Sequence, residues 1–224
     1  MDQSGGVTVS GVLVPISSRL RVLGVTLDSQ LSFDEHITTV VRACNYHVRA
    51  LHHIRHLINQ ETANTISCSI VCSRLDYCNS VLYGVTENNI ERLQRVQNSL
   101  ARVVCGAPYR SSATALRRSL HWLPVRQRIA YKVAVLTFKV RLHQQPSYLA
   151  ELVVDHRPSR TLRSSSMNLL VEPRTKTVIA SRAFSSAAPR VWNSLPSTAR
   201  SATSIETFRG CVKTFLFDVA YNEH

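Results

Sequence analysis

The chain has 224 residues, 44% of them hydrophobic and 18% charged, which excludes a disordered or low-complexity polymer and leaves enough apolar surface for one or two domains with a buried core. It carries a formal net charge of +13, and Arg far outnumbers Lys, so an anionic partner is favoured: Arg forks onto phosphate and stacks on bases. No apolar run is long enough to span a bilayer and no charged start precedes an apolar block with a cleavage site, so no membrane role is expected, the location is nuclear or cytoplasmic, and the Cys residues read as reduced thiols.

The chain opens with β-branched runs at 7–9, 12–14 and 21–27, broken by Gly11 and by 15–18, which read as an antiparallel hairpin or a three-stranded piece. The period then changes. Ser32 or Asp34 can cap a helix that places Ile37, Val40, Val41, Cys44, Val48, Leu51, Ile54 and Ile58 along one face. A second helix is expected over 60–83, with Ile66, Ile70, Leu75, Cys78 and Leu82 inward and Gly84 as its stop. A third, over 86–105, turns Ile90, Leu93, Val96, Leu100, Val103 and Val104 inward and ends on Gly106. A short helix follows near 113–120, and Pro124 suits the first position of a long helix reaching His143. One short helical piece is expected after Pro146.

Prolines break 155–200 into short segments, in which 168–179 reads as paired extended strands. A last amphipathic helix over 204–220 carries Ile205, Phe208, Val212, Phe215, Leu216 and Val219. The expected fold is mainly α: a small β element over 1–31, a helical bundle over 32–153, and a less regular extension over 154–224 closed by a terminal helix.

The charge is unevenly spread. The net is −2 over 1–40, +2 over 41–100, +9 over 101–150 and +4 over 151–224, with no carboxylate between Glu91 and Glu151. A solvated helix ordinarily mixes signs, because Glu and Lys four apart support one another. Arg92, Arg95 and Arg102 share the third helix, while Arg117, Arg118, Arg126, Arg128, Lys132, Lys139 and Arg141 populate the next two. On the long helix Ile129, Val133, Leu136 and Val140 form an apolar stripe, with Arg128, Lys132 and Lys139 to one side. An acid-free stretch of this length is hard to explain as solvated surface, so these residues are assigned to nucleic-acid binding that weakens steeply with salt. Trp122 could stack on a base, although filling the core where two helices meet is the better reading.

Other chemistry finds little support. Cys68, Cys72 and Cys78, with His52, His53 and His56, lack the CxxC pairing of a structural zinc site, so no metal is expected. No GxSxG, GxxxxGK or GxGxxG occurs, and the six Asp are scattered singly, so no catalytic residue is assigned. The competing reading is a helical protein-interaction or structural module. Gathering of Arg92, Arg95, Arg102, Arg126, Arg128 and Lys132 onto one surface would favour nucleic acid, and scatter would favour the module.

The runs LDYCNSVLYG, IERLQRVQNSLARVV, LRRSLHWLPVRQRIAYKVAVLTFK, PSYLAELV, RTLRSSS and RAFSSAAPRVWNSLP, in that order, resemble the segment after the polymerase core in reverse transcriptases of non-LTR (LINE-type, chicken-repeat and jockey-like) retrotransposons. RVLGVTLDSQLSFDEHI is similar to the end of the family's palm, where a hairpin carries a Leu-Gly pair at the primer grip, here Leu23 and Gly24. The resemblance covers nearly the whole chain. It implies a thumb-like helical module that holds an RNA–DNA hybrid or duplex, whether the element's own RNA or target DNA, followed by a C-terminal extension. The family's paired-Asp motif and endonuclease domain have no counterpart here, so the chain alone is expected to be a non-catalytic fragment without cofactor or small-molecule substrate, Mg belonging to an intact polymerase. Lacking the palm sheet on which the family's first strands pack, the first forty residues are expected to be poorly ordered.

Overall fold

The computed structural model describes residues 6–156 and 168–222, so the RTLRSSS stretch lies outside the described residues. The chain is mainly α. Two separate antiparallel hairpins lead it: β1 (Gly6–Val9) with β2 (Val12–Pro15), then β3 (Arg19–Val22) with β4 (Val25–Asp28). The run 21–27, read from sequence as one extended stretch, in fact reverses within itself. Leu23 and Gly24 both sit at positive φ, 47° and 81°, the backbone that a two-residue hairpin turn demands. Val22 therefore faces Val25 and Arg21 faces Thr26.

The second hairpin does have a packing surface, supplied by helices and not by a sheet. Val25 is buried and Leu27 packs against the same cluster. Asp28 accepts from the backbone N–H groups of Gln30, Ser32 and Phe33, which turns the chain into the first helix. That helix, α1 (Asp34–Ile54), buries Ile37, Cys44, Val48 and Leu51 at helical spacing. At its far end Arg55 donates to the carbonyls of Val103, Val104 and Ile58, tying two helix C-termini together.

The expected single helix over 60–83 is broken. α2 (Gln60–Ser67) starts on the Asn59 side chain, which accepts from the Thr62 N–H at 2.8 Å. It continues through a π turn over Cys68–Cys72 into α3 (Ser73–Asp76). The chain then bends at Cys78, whose φ is 51°, into a 3₁₀ turn over Asn79–Leu82. Leu75 and Leu82 are buried on either side of the bend, and Asn79 donates to Asp76 across it. Tertiary packing, not a Gly or Pro, sets this break.

α4 (Glu87–Cys105) buries Ile90, Leu93, Val96, Leu100 and Val104 and ends on Gly106 in the left-handed conformation. α5 (Ala113–Ser119) and α6 (Val125–His143) follow at the expected places, then the short α7 (Ser147–Ala150). Of the strands expected over 168–179, only an isolated antiparallel bridge between Asp155 and Leu170 forms among the described residues. Residues 171–177 are irregular, and the chain turns helical only beyond them: α8 (Val178–Arg182), α9 (Phe184–Ser194) and α10 (Ser197–Arg200). Pro189 lies inside α9, where its missing N–H costs one helical hydrogen bond. α11 (Ile205–Tyr221) closes the fold.

Two apolar cores result, and α6 serves both. Its first turns, with Val125 and Ile129, finish the core built by α1, α3 and α4. Its later turns, with Val133, Ala134 and Phe138, join Trp192 of α9 and Phe208, Val212 and Leu216 of α11 in the second. Phe138 stacks on Phe208 with centroids 4.3 Å apart, and Trp192 stacks on Phe208 at 5.6 Å. Burial from both sides explains why α6 exposes so few positions. Among the described residues, no helix is long and apolar enough to cross a membrane.

Candidate nucleic-acid interface

The acid-free stretch does not form one continuous basic surface. Most of its cations fall into three groups by what they touch, while Arg141 is paired with Asp155 at 2.6 Å and lies over the Trp192 ring.

The first group is consumed by the fold. Arg117 is 7% exposed and donates to the Asn98 and Thr114 side chains. The Arg128 side chain is 16% exposed; it donates to the Leu123 carbonyl at 2.9 Å and to Asp76 at 2.7 Å, with Cys72 Sγ also in reach. Arg92 reaches across to the Thr38 hydroxyl of α1 and to Asn89. Trp122 is 4% exposed and belongs to the first core, so the stacking role read for it from sequence gives way to the packing role. Arg117 holds α5 to α4, Arg128 holds α6 to α3 and Arg92 ties α4 to α1, so these three guanidinium groups are engaged inside the chain.

The second group points away from the rest. Arg126 pairs with Glu87 and lines a cleft shared with Arg182 and Arg190, on the other side of α6 from Lys132. Arg95 pairs with Glu91 one turn earlier. Arg102 sits beside Tyr109 at the far end of α4.

The third group converges. Lys132 of α6 and Lys213 of α11 open onto one groove, about 380 Å³, with His121, Tyr131 and the inner Arg128. α6 and α11 run antiparallel, because the Tyr221 hydroxyl near the end of α11 donates to the Trp122 carbonyl just before α6 at 2.6 Å. That register sets Lys213 opposite Lys132. Arg209 precedes Lys213 by one turn and acts on Tyr131: burial pushes the Tyr131 phenol up, and the Arg209 charge pulls against it. At the other end Arg118 donates to Asn222, and the His121 ring lies 5.7 Å from that of Phe217. Lys139 follows Lys132 by two turns, about 10.5 Å along the exposed side of α6.

The one carboxylate lining this groove among the described residues, Asp76, is already bonded by Arg128. Cys68 also lines the groove, next to Arg128, so the compensating negative charge sits at its inner end, and Lys132 and Lys213 remain the exposed ammonium groups, suited to an anionic backbone. Arg209, Lys213 and His121 were not among the residues read from sequence. The Arg209–Lys213 spacing of one helical turn was visible, but nothing local says that α11 docks against α6.

Leu23 and Gly24 form the tip of the β3–β4 hairpin, with Leu23 83% exposed. Tyr77 donates its hydroxyl to the Leu23 carbonyl at 2.7 Å, and its ring leaves a Cβ at Gly24 just 3.7 Å of space. The hairpin tip is therefore held beside α3. Among the described residues no group of three or more His, Cys, Asp or Glu side chains is arranged to hold a metal ion.

Comparison with known proteins agrees with the resemblance read from the sequence. The chain is 28% identical over 167 residues to a protein described as probable RNA-directed DNA polymerase from transposon BS of Drosophila melanogaster. It is 26% identical over 159 residues to the corresponding protein from transposon X-element of the same organism. Each match covers 70% of this chain and 17% of the relative, so the chain is similar to a limited part of these proteins. No protein-family profile matches it. No solved structure matches it.

Proposed function

We propose that this chain is a thumb-like segment of a LINE-type retrotransposon reverse transcriptase, gripping the sugar–phosphate backbone of an RNA–DNA hybrid or duplex in the groove between α6 and α11. The observation that carries the reading is the convergence of Lys132 and Lys213, more than eighty residues apart in sequence, on one groove whose carboxylate is already neutralised. Lys139, Arg209 and His121 extend the same surface. Such a surface reads charge and helical shape and not base sequence, because none of these side chains is braced to present a fixed fork to a base edge. The chain contributes holding, and the chemistry of copying would come from carboxylates and Mg elsewhere in an intact polymerase. The Leu23–Gly24 hairpin, pinned by Tyr77, would approach the same nucleic acid as a primer-grip-like element.

Arg92, Arg95, Arg102, Arg126, Arg128 and Lys132 do not gather on one surface, so the charge-placement criterion set from the sequence counts against a single basic face built from them. The nucleic-acid reading rests instead on the groove of Lys132 and Lys213, and Arg126 and Arg128 leave the set expected to matter. The test is direct binding of the purified chain to an RNA–DNA hybrid of two unrelated sequences. Equal affinity for both, lost as salt rises, is the expected result. Binding to neither, with the fold intact by circular dichroism, would overturn the proposal and leave the protein-interaction reading.

A further inference from the structure

A second cleft, of about 770 Å³, lies at the C-terminal ends of α1 and α4, where His52, Arg55 and His56 face Ser99, Arg102 and the loop 106–109. Its volume is within the range of sites that enclose a small ligand, roughly 300–1,000 Å³. No carboxylate lines it among the described residues. Arg55 spends its Nε and Nη1 donors on capping carbonyls, while His52, in the last turn of α1, and His56, in the 3₁₀ turn just past its end, are exposed and four residues apart.

The loop beside them is built, not slack. Gly106, at φ 59°, lets the Ala107 and Gly106 N–H groups return to the Arg102 and Val103 carbonyls, closing α4. The Ser111 N–H bonds the Pro108 carbonyl at 3.0 Å, making a turn whose central residues are Tyr109 and Arg110. Arg102 then donates to the Ser111 carbonyl and lays its guanidinium over the Tyr109 ring, 5.3 Å from the centroid. Tyr109 is 88% exposed, so its ring meets little besides that guanidinium. A braced aromatic with an open side, beside His and Arg and away from carboxylates, is the arrangement on which an unpaired base stacks while its phosphate meets the cations.

We infer that this cleft is a single-stranded nucleic-acid subsite, with Tyr109 as the stacking platform and Arg102, His52 and His56 receiving the adjoining phosphate. A duplex would not use it, because its bases are stacked on each other and not offered to a side chain. The residues are distinct from those of the α6–α11 groove, so either site can fail without the other.

The experiment is fluorescence anisotropy of a short labelled oligothymidylate, and in parallel of an RNA–DNA hybrid, with the wild-type chain, Tyr109→Ala and Tyr109→Trp. The Ala variant is expected to lose about 5- to 140-fold in single-strand affinity, the equivalent of one stacked base. The Trp variant should bind at least as well as wild type, and hybrid binding should be unchanged in both. Equal single-strand affinity for wild type and Tyr109→Ala would overturn the inference, as would an equal loss in the Trp variant or no single-strand binding by wild type. Loss of hybrid binding alone, in a Lys132→Ala/Lys213→Ala chain, would bear only on the other groove.

Discussion

Tyr221 donates its hydroxyl to the carbonyl of Trp122 at 2.6 Å, a buried hydrogen bond that closes 99 residues of chain. It fixes the antiparallel register of α11 on α6, and through that register it brings Lys213 opposite Lys132. Tyr221→Phe leaves the Trp122 carbonyl buried without this donor and is expected to lower stability by about 1–3 kcal/mol. Urea denaturation of the pair checks this. Because the register is held by the second core as well, the variant should bind nucleic acid normally once folded.

Arg128 and Lys132 are one turn apart on α6 and are expected to behave oppositely. Arg128 satisfies Leu123 and Asp76, so Arg128→Ala should cost about 2–3 kcal/mol in a chemical melt. Lys132 is exposed and has no such partners among the described residues, so Lys132→Ala should stay within about 0.5 kcal/mol of wild type. An Arg128 variant that retained full stability would contradict the division of the cations into structural and free.

The ring stack of Phe138, Phe208 and Trp192 makes the C-terminal third part of the fold. Phe208 is wholly buried at its centre, and Phe208→Ala is expected to cost about 3–5 kcal/mol. A single cooperative loss of helical signal in thermal melts is the expected form. A variant in which α11 melted alone, leaving the first core untouched, would show that α6 does not couple the two.

Cys68 and Cys72 face each other across one turn, beside Arg128. The hydrogen bond from the Cys72 thiol, outweighing the effect of burial and aided by the Arg128 charge, holds the Cys68 thiol down at about 6, while Cys72 is pushed up. Cys68 should therefore alkylate with iodoacetamide at neutral pH, its rate falling as pH drops through about 6. The sign for stability follows from a depressed folded value: the thiolate's contribution is present above the ordinary thiol range and is lost as pH falls through about 6. Cys72→Ala should shift the alkylation profile upward. An unshifted profile would contradict the assigned cause.

Much of the helical architecture could be read from spacing alone. Ile90, Leu93, Val96 and Leu100, followed by Gly106, define α4 in sequence as they do in space. The break at Cys78 could not, because a positive φ at a non-glycine residue is imposed by the burial of Leu75 and Leu82 around it. α9 was hidden by Pro189, which local reasoning places outside helices. For the site, charge composition pointed to the right stretch but not to the right side chains. Whether an Arg is free depends on carbonyls and carboxylates far along the chain: Asn98 takes Arg117, Asp76 takes Arg128 and Glu87 takes Arg126. Lys213 enters the groove only because α11 returns to α6.

The measurement that tests the central claim most directly is the salt dependence of RNA–DNA hybrid binding by wild type and by a Lys132→Ala/Lys213→Ala chain. Each cation that neutralises a phosphate adds about 0.9 to the magnitude of the log–log slope by the duplex-DNA scale. The variant is expected to keep its fold and show a slope shallower by about two. Identical slopes in the two chains would contradict the assignment of the grip to the α6–α11 groove.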